Sequence, residues 1–346
     1  PDLSQRSDIV FLKKEETMNI DELREQIPDE ASCRTFFEKL IWPDGRLCPH
    51  CQWLHSYRLK GDSSRPGLYE CARCKRQFTV TTRTPMHSTK LPLWKWLLAI
   101  YYILNSSKGI SSVFLSRLIG VKQSTAWKMG HAIRLMMDSW AKELPLLSGT
   151  IEMDEKFIGG KPRYHFGVRH KGGKATAKQS ILVAIQRQGP VFSVPVDTVK
   201  RETISPIIDA VADMSANLMT DKSHVFHQSG KQFASHQSVY HMAKEYARGN
   251  VHINTAESFN AMLERVKTGV FHYMSPKHLD LYLTELSFRW SNRDPKEGVT
   301  KMGKKKTTWK PKPIIEQLTS LLPFACGAQL RWQRTGALRQ IAFNSY

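Results

Sequence analysis

The segment "IEMDEKFIGG", residues 151–160, places three acids (Glu152, Asp154 and Glu155) within four positions of a stretch that alternates like a strand. An unpaired buried carboxylate is expensive, so an acid kept there either faces solvent or holds something positive. Ile151, Met153 and Phe157 alternate, which turns Asp154 to the face opposite Met153. Two further acids stand in telling contexts. Asp221 follows the apolar run "ANLMT", with 66 residues between it and Asp154, and Glu257 sits in the first turn of a helical pattern in residues 252–269, with 35 residues between it and Asp221. Three carboxylates delivered by two strands and a helix can hold two divalent cations, which clamp the attacking and leaving oxygens of a phosphodiester displacement. Magnesium, or manganese, suits such a site because it takes carboxylate and phosphate oxygens together. Asp154, Asp221 and Glu257 are the candidate catalytic acids, and Glu152 and Glu155 are expected to be solvated.

A second constellation lies upstream. "CPHC" (Cys48, Cys51) and "CARC" (Cys71, Cys74) are separated by 19 residues. That is the spacing of a structural zinc site, in which four thiolates close a tetrahedron and fold a segment too small for its own core. One zinc ion is expected, in a zinc ribbon. Cys33 and Cys326 are expected to be buried thiols rather than ligands.

These residues need elements to position them. Leu91, Trp94, Leu97, Leu98 and Tyr101 recur at helical spacing. Residues 110–137 then read as a short helix, a turn at Gly120 and a second helix, the outline of a helix-turn-helix. Its second helix would offer Lys122, Gln123, Ser124, Thr125 and Lys128 to a major groove. After the linker "ELPLLSGT" the pattern becomes strands: residues 151–158, "SILVAIQ", and "PVFSVPV" across a Gln188-Gly189 turn. An amphipathic helix carrying Ile204, Ile207, Ile208 and Val211 leads to a fourth strand ending at Asp221. Three strands, a crossover helix and a fourth strand is the order of an RNase H-like core, in which the fourth strand pairs parallel to the first and sets Asp221 beside Asp154. The fold class expected is multidomain: an α/β RNase H-like catalytic core, with a mixed sheet and flanking helices, preceded by a zinc ribbon and a helix-turn-helix.

Charge supplies the partner. The chain has 346 residues, 51 of them basic and 31 acidic, for a net charge of +20. An excess of that sign and size fits a polyanion, with double-stranded DNA first. Between Lys156 and Val196 there is no acid, and Lys161, Arg163, Arg169, Lys171, Lys174 and Lys178 follow the first acidic strand as a Gly-rich loop that can track a DNA backbone. "KMGKKKTTWKPKP", residues 301–313, reads as a second cationic segment, an unstructured or extended arm. The longest uncharged apolar run, "WLLAIYYIL", is shorter than the roughly 20 residues a membrane helix needs, and no signal-peptide pattern opens the chain. A soluble, cytoplasmic, nucleoid-associated bacterial protein is expected, with residues 1–17 as a leader or remnant.

Several segments resemble one family. "MDEKFIGGK" resembles the first-aspartate motif of bacterial insertion-sequence transposases with a DDE catalytic core and an N-terminal zinc ribbon (insertion-sequence family fifteen-ninety-five, related to the eukaryotic Merlin elements). "HINTAESF" resembles its third-acid motif, residues 271–293 the segment after it, and "CPHC…CARC…FTVTTRTPMHSTKLPLWKWL" its front end. The match runs in order over residues 30–295. The resemblance implies that Asp154, Asp221 and Glu257 catalyse, that the substrates are terminal inverted repeats and target DNA, and that 3′ ends are released by hydrolysis and then joined to the target. It also implies a homodimer or larger synaptic assembly. His241 and His252 lie where the family has histidines near its site, as phosphate- or water-positioning groups, with Asn254 a further auxiliary residue. The chain departs from the family in three places: Lys222 and Ser223 follow Asp221, Asn260 replaces a tryptophan, and Glu264 replaces a lysine. Arg265 or Lys267 is expected to supply the phosphate contact instead.

The expected boundaries are a helical leader over residues 1–40, the ribbon over 41–90, the helix-turn-helix over 91–142, the catalytic domain over 150–295, and a basic arm and helix over 296–346. A second class of function stays open on the same scaffold: a catalytically inactive, domesticated DNA-binding regulator or architectural protein.

Overall fold

The computed structural model describes residues 18–61, 64–159, 178–299, 303, 305–332 and 338–342. They fall into two compact units, one drawn from residues 1–143 and 298–346 and the other from residues 144–297.

In the first unit, α1 (Ile20–Gln26) begins at a capping box: the Asn19 side chain accepts from the N–H groups of Asp21 and Glu22, while Glu22 reaches back to the Asn19 N–H. Asp29 caps α2 (Glu30–Ile41). Three short strands follow in an antiparallel sheet, β1 (Ser56–Arg58), β2 (Tyr69–Cys71) and β3 (Gln77–Phe78). The helices are α3 (Leu93–Asn105), α4 (Ser112–Ile119) and α5 (Gln123–Ala141). Ser111 caps α4, and Gly120, at φ 62°, takes the left-handed conformation that ends it and turns the chain into α5.

The second unit is built on a five-stranded sheet. Its strands are β4 (Thr150–Ile158), β5 (Gln179–Gln186), β6 (Val191–Val196), β7 (Asn217–Asp221) and β8 (Ser235–Val239), in the order β6-β5-β4-β7-β8. β6, β5 and β4 pair antiparallel, whereas β7 pairs parallel to both β4 and β8. α6 (Arg201–Val211) makes the crossover that parallel pairing requires, and α7 (His224–Ser229) follows β7. β9 (Ala247–Arg248) and β10 (Val251–His252) form a small ribbon ahead of α8 (Asn254–Val266), and α9 (Leu279–Ser291) follows.

The period-two alternation of β4 and β5 sorts side chains onto two cores. Ile151, Met153, Leu182 and Ala184 meet Ile204, Ile208 and Phe226 on one face. Ile158, Ile181, Val183 and Ile185 meet Phe259, Leu263, Leu283 and Leu286 on the other. Both faces of β5 are therefore covered, which is why "SILVAIQ" carries no polar interruption.

The chain continues through β11 (Arg293–Val299), β12 (Lys305–Pro311), α10 (Ile314–Leu321), β13 (Ala328–Trp332) and β14 (Leu338–Ala342). The cationic segment is a strand over residues 305–311, and the helix expected in this part of the chain is α10. Ile314, Leu318 and Leu321 of α10 are buried, and α10 packs on α3 and α5 within the first unit. Cys33 is buried as expected, but Cys326 is exposed. Among the described residues, no helix is long and apolar enough to cross a membrane.

Candidate active site

β4 and β7 run parallel with Met153 opposite Thr220, so Asp154, in the middle of β4, comes beside Asp221, the last residue of β7. Glu257 lies in the first turn of α8, on the sheet face that Asp154 shares. The three charges share one field. Burial first, then repulsion from Asp221 and, more weakly, from Glu257, pushes the Asp154 carboxyl up to about 7. A hydrogen bond from Asn260 and the charge of Lys156 pull the other way. Three repelling carboxylates of this kind fit a hard divalent cation, which would relieve the repulsion. Their oxygens are less tightly gathered than the thiols of the first unit, and the side chain of Glu257 remains 47% exposed.

Glu152 departs from its sequence reading. Expected in solvent, it is fully buried. Two positions before Asp154, it projects from the same face of β4, which α8 covers. Its Oε2 accepts from the backbone N–H of Thr255 at 2.8 Å and of Ala256 at 3.0 Å, and its Oε1 from the Thr255 hydroxyl at 3.0 Å. No local side chain caps α8, so a carboxylate from a strand 103 residues earlier satisfies its first-turn donors and meets the positive end of its dipole. Arg187, in the β5–β6 turn, compensates the charge with Nε 2.6 Å from Oε1, and its other nitrogens donate to the carbonyls of Asn250 and His252. Glu155, also expected in solvent, is partly buried.

The remaining expected residues divide. His241 Nδ1 lies 3.8 Å from Glu257 Oε1. His252 belongs to the Glu152 cluster, its Nδ1 3.0 Å from Arg187 Nη2; a guanidinium only donates, so Nδ1 accepts. Asn254 is exposed at the start of α8. Glu264 stands between Lys267, at 3.1 Å, and Lys156, at 3.8 Å, so Lys267 is paired while Arg265 is exposed. Lys178 faces Gly159 across the base of the basic loop, where a Cβ on the glycine would come within 3.0 Å of the lysine Cγ. Lys161, Arg163, Arg169, Lys171 and Lys174 lie outside the described residues.

The sequence reading put Glu152 in solvent, took Asn260 only as a departure from the family, and did not single out Arg187. Strand periodicity carried the signal for Glu152, which shares a face with Asp154. Asn260 lies three residues beyond Glu257, on the same side of a helix.

In the first unit the four cysteine sulfurs gather within 4.8 Å of one another, the one such group of candidate ligands among the described residues. Sγ of Cys48 and Cys74 are 3.7 Å apart, and those of Cys51 and Cys71 3.5 Å. The two knuckles share one turn: Gln52 donates to Cys48 O and Lys75 to Cys71 O, both with left-handed φ, 60° and 57°. Burial pushes the Cys48 thiol up to about 12, a state that thiolate ligation to a cation would reverse. Trp42, Tyr69 and Phe78 form the ribbon's small aromatic core. At the start of α5, Lys122, Gln123 and Ser124 are exposed. Thr125 and Lys128 instead line, with Ser124, Met86, Thr89 and Trp96, a cavity of about 490 Å³. Burial, then the charge of Arg331, holds the Lys128 ammonium below its usual range.

Comparison with known proteins gives matches on both units. Residues 146–291 match the family described as ISXO2-like transposase domain, and residues 28–77 the transposase zinc-ribbon domain of the same group. An uncharacterized protein in transposable element ISH50 of Halobacterium salinarum is 25% identical over 248 residues, 68% of this chain and 82% of that one. Among solved structures, a pre-cleavage Mos1 transpososome is 10% identical over 54% of this chain and 70% of that one, with a TM-score of 0.27. A simian T-cell lymphotropic virus intasome is 14% identical over 71% and 96%, with a TM-score of 0.28.

Proposed function

The chain belongs to the ISXO2-like insertion-sequence transposases, and we propose that it releases the 3′ ends of a mobile element by hydrolysis and joins them to target DNA. Asp154, Asp221 and Glu257 are the catalytic acids, on a core of RNase H-like type. The observation that carries this reading is the shared field at Asp154, whose carboxyl is held up to about 7 by burial, Asp221 and Glu257. Acids clustered at such cost in one site point to chemistry rather than to support.

The three carboxylates would hold magnesium or manganese, which when bound neutralises phosphate charge and makes a bound water a nucleophile at neutral pH. The chain's own part is placement. β4 and β7 fix two acids by their pairing, Glu152 fixes the helix that carries the third, and His241 sits beside Glu257 to orient a phosphate or water. Cys48, Cys51, Cys71 and Cys74 hold one structural zinc ion. α4 and α5 act as a helix-turn-helix in which Lys122, Gln123 and Ser124 face DNA; Thr125 and Lys128 border the cavity beneath. Lys161, Arg163, Arg169, Lys171, Lys174, Lys178 and Arg265 follow the backbone of terminal inverted repeats and target, and two chains or more bring the ends together.

The test is a plasmid carrying the DNA that flanks the gene, read for Mg²⁺-dependent nicking and joining. Wild type should cut and join, and Asp154→Ala, Asp221→Ala and Glu257→Ala should bind the same DNA without doing either. Equal activity in the three variants would remove the acids from the chemistry. DNA binding without any cutting by wild type would leave an architectural protein.

A further inference from the structure

Asn260 lies one helical turn beyond Glu257 and is only 5% exposed. Its Nδ2 donates to Asp154 Oδ2 at 2.7 Å, while Asp154 Oδ1 accepts the backbone N–H of Glu155 at 2.8 Å. Both oxygens of the first acid are thus held in place. With Asp154 ionised, as cation binding requires, the amide orientation follows from this contact, since exchanging oxygen and nitrogen would set two acceptors against each other. That orientation leaves Asn260 Oδ1 buried with no hydrogen-bond partner among the described residues. An orphan buried acceptor bears the full desolvation penalty of its group, a penalty that an apolar side chain of the same shape avoids. Keeping an amide at this position makes physical sense if a donor comes from outside the protein.

The neighbouring acids indicate what that donor is. Small divalent cations held by a few carboxylates keep several of their waters, and such waters are strong donors. Resting on the metal-site reading above, we propose that Asn260 is a positioning residue of the cation site. Its Nδ2 fixes Asp154 Oδ2, and its Oδ1 accepts a hydrogen bond from a water carried by the bound divalent cation. The residue touches an acid and a cation-borne water rather than the DNA.

Mn²⁺ binding to the full chain, with its zinc retained, tests this without relying on activity. Free Mn²⁺ is titrated by electron paramagnetic resonance against wild type, Asn260→Leu, Asn260→Ala and Asp154→Asn, with melting temperature and duplex-DNA affinity measured on each. Loss of an outer-shell partner weakens metal affinity by about 10–100-fold, and that weakening is expected in both Asn260 variants with DNA affinity unmoved. Asn260→Ala adds no bulk, so it still gives a reading if the leucine variant fails to fold. Wild-type Mn²⁺ affinity in the Asn260 variants, even with a lowered melting temperature, would make Asn260 a packing residue and overturn the proposal. Wild type that binds no Mn²⁺, or binds it equally in Asp154→Asn, would overturn the metal site and this inference together.

Discussion

The carboxylate of Glu152, inside β4, accepts the backbone N–H of Thr255, at the start of α8, at 2.8 Å. Asp154 lies two residues from one end of this contact and Glu257 two residues from the other. The separation of those acids is therefore set by a hydrogen bond to backbone, with a buried arginine contact to balance the charge, and not by flexible side chains alone.

Glu152→Ala should damage this arrangement severely. It leaves Arg187 without its carboxylate and α8 without its cap, and breaking a buried pair costs about 3–5 kcal/mol. Denaturant unfolding of the full chain reads the loss. A change below about 0.5 kcal/mol, the range of ordinary surface substitutions, would show that Glu152 is not holding the helix.

The acidity of Asp154 makes stability depend on pH in an uncommon direction. Its folded pKa, about 7, lies above its ordinary 3.8, so the metal-free folded state binds the proton more tightly than the unfolded state. The stabilisation is complete below about pH 4 and disappears as pH rises toward 7. Asp154→Asn removes that slope, so it should melt higher than wild type at pH 8 in EDTA, and the gap should shrink on acidification to pH 5. A gap independent of pH would contradict the shift. Mn²⁺ should bind wild type more tightly at pH 8 than at pH 6, because proton and cation compete for one carboxylate.

Zinc removal should act on the ribbon. With four thiols converging around a core of three aromatic rings, chelation is expected to abolish the near-ultraviolet circular dichroism of Trp42 and Tyr69. Metal analysis should find one zinc per chain. No zinc, or an unchanged spectrum after its removal, would reject the metal-folded ribbon.

Glu264 pairs with Lys267 and with Lys156, whose charge acts on Asp154. Its contacts to Lys156 and Lys267 are partly exposed and worth little in stability, about 0–1 kcal/mol. Glu264→Gln should leave the melting temperature within error but free cationic charge for phosphate. One further phosphate contact would steepen the salt dependence of DNA affinity by about 0.9 in log–log slope. An unchanged slope would show that Lys156 and Lys267 do not meet DNA.

The parallel pairing of β4 with β7 was legible because alternation, a covered strand and a crossover helix leave few arrangements, and the cysteine spacing was legible because ligation geometry is local. Glu152 was misread because its partners are backbone N–H groups 103 residues away, which no local pattern encodes. Thr125 and Lys128 fit an exposed recognition face by helical spacing, yet residues 85–91 border them in a cavity. A helix beyond the run of lysines was legible, but its packing was not: the apolar stripe of α10 is only eight residues long and gains its meaning from α3 and α5.

The most direct measurement is the position of Mn²⁺ in crystals of the full chain, read from its anomalous scattering. Manganese is expected in direct contact with carboxylate oxygens of Asp154, Asp221 and Glu257, with Glu152 still seated on the N–H groups of Thr255 and Ala256. Manganese bound elsewhere, or Glu257 turned away from a cation on the two aspartates even with DNA present, would contradict the account.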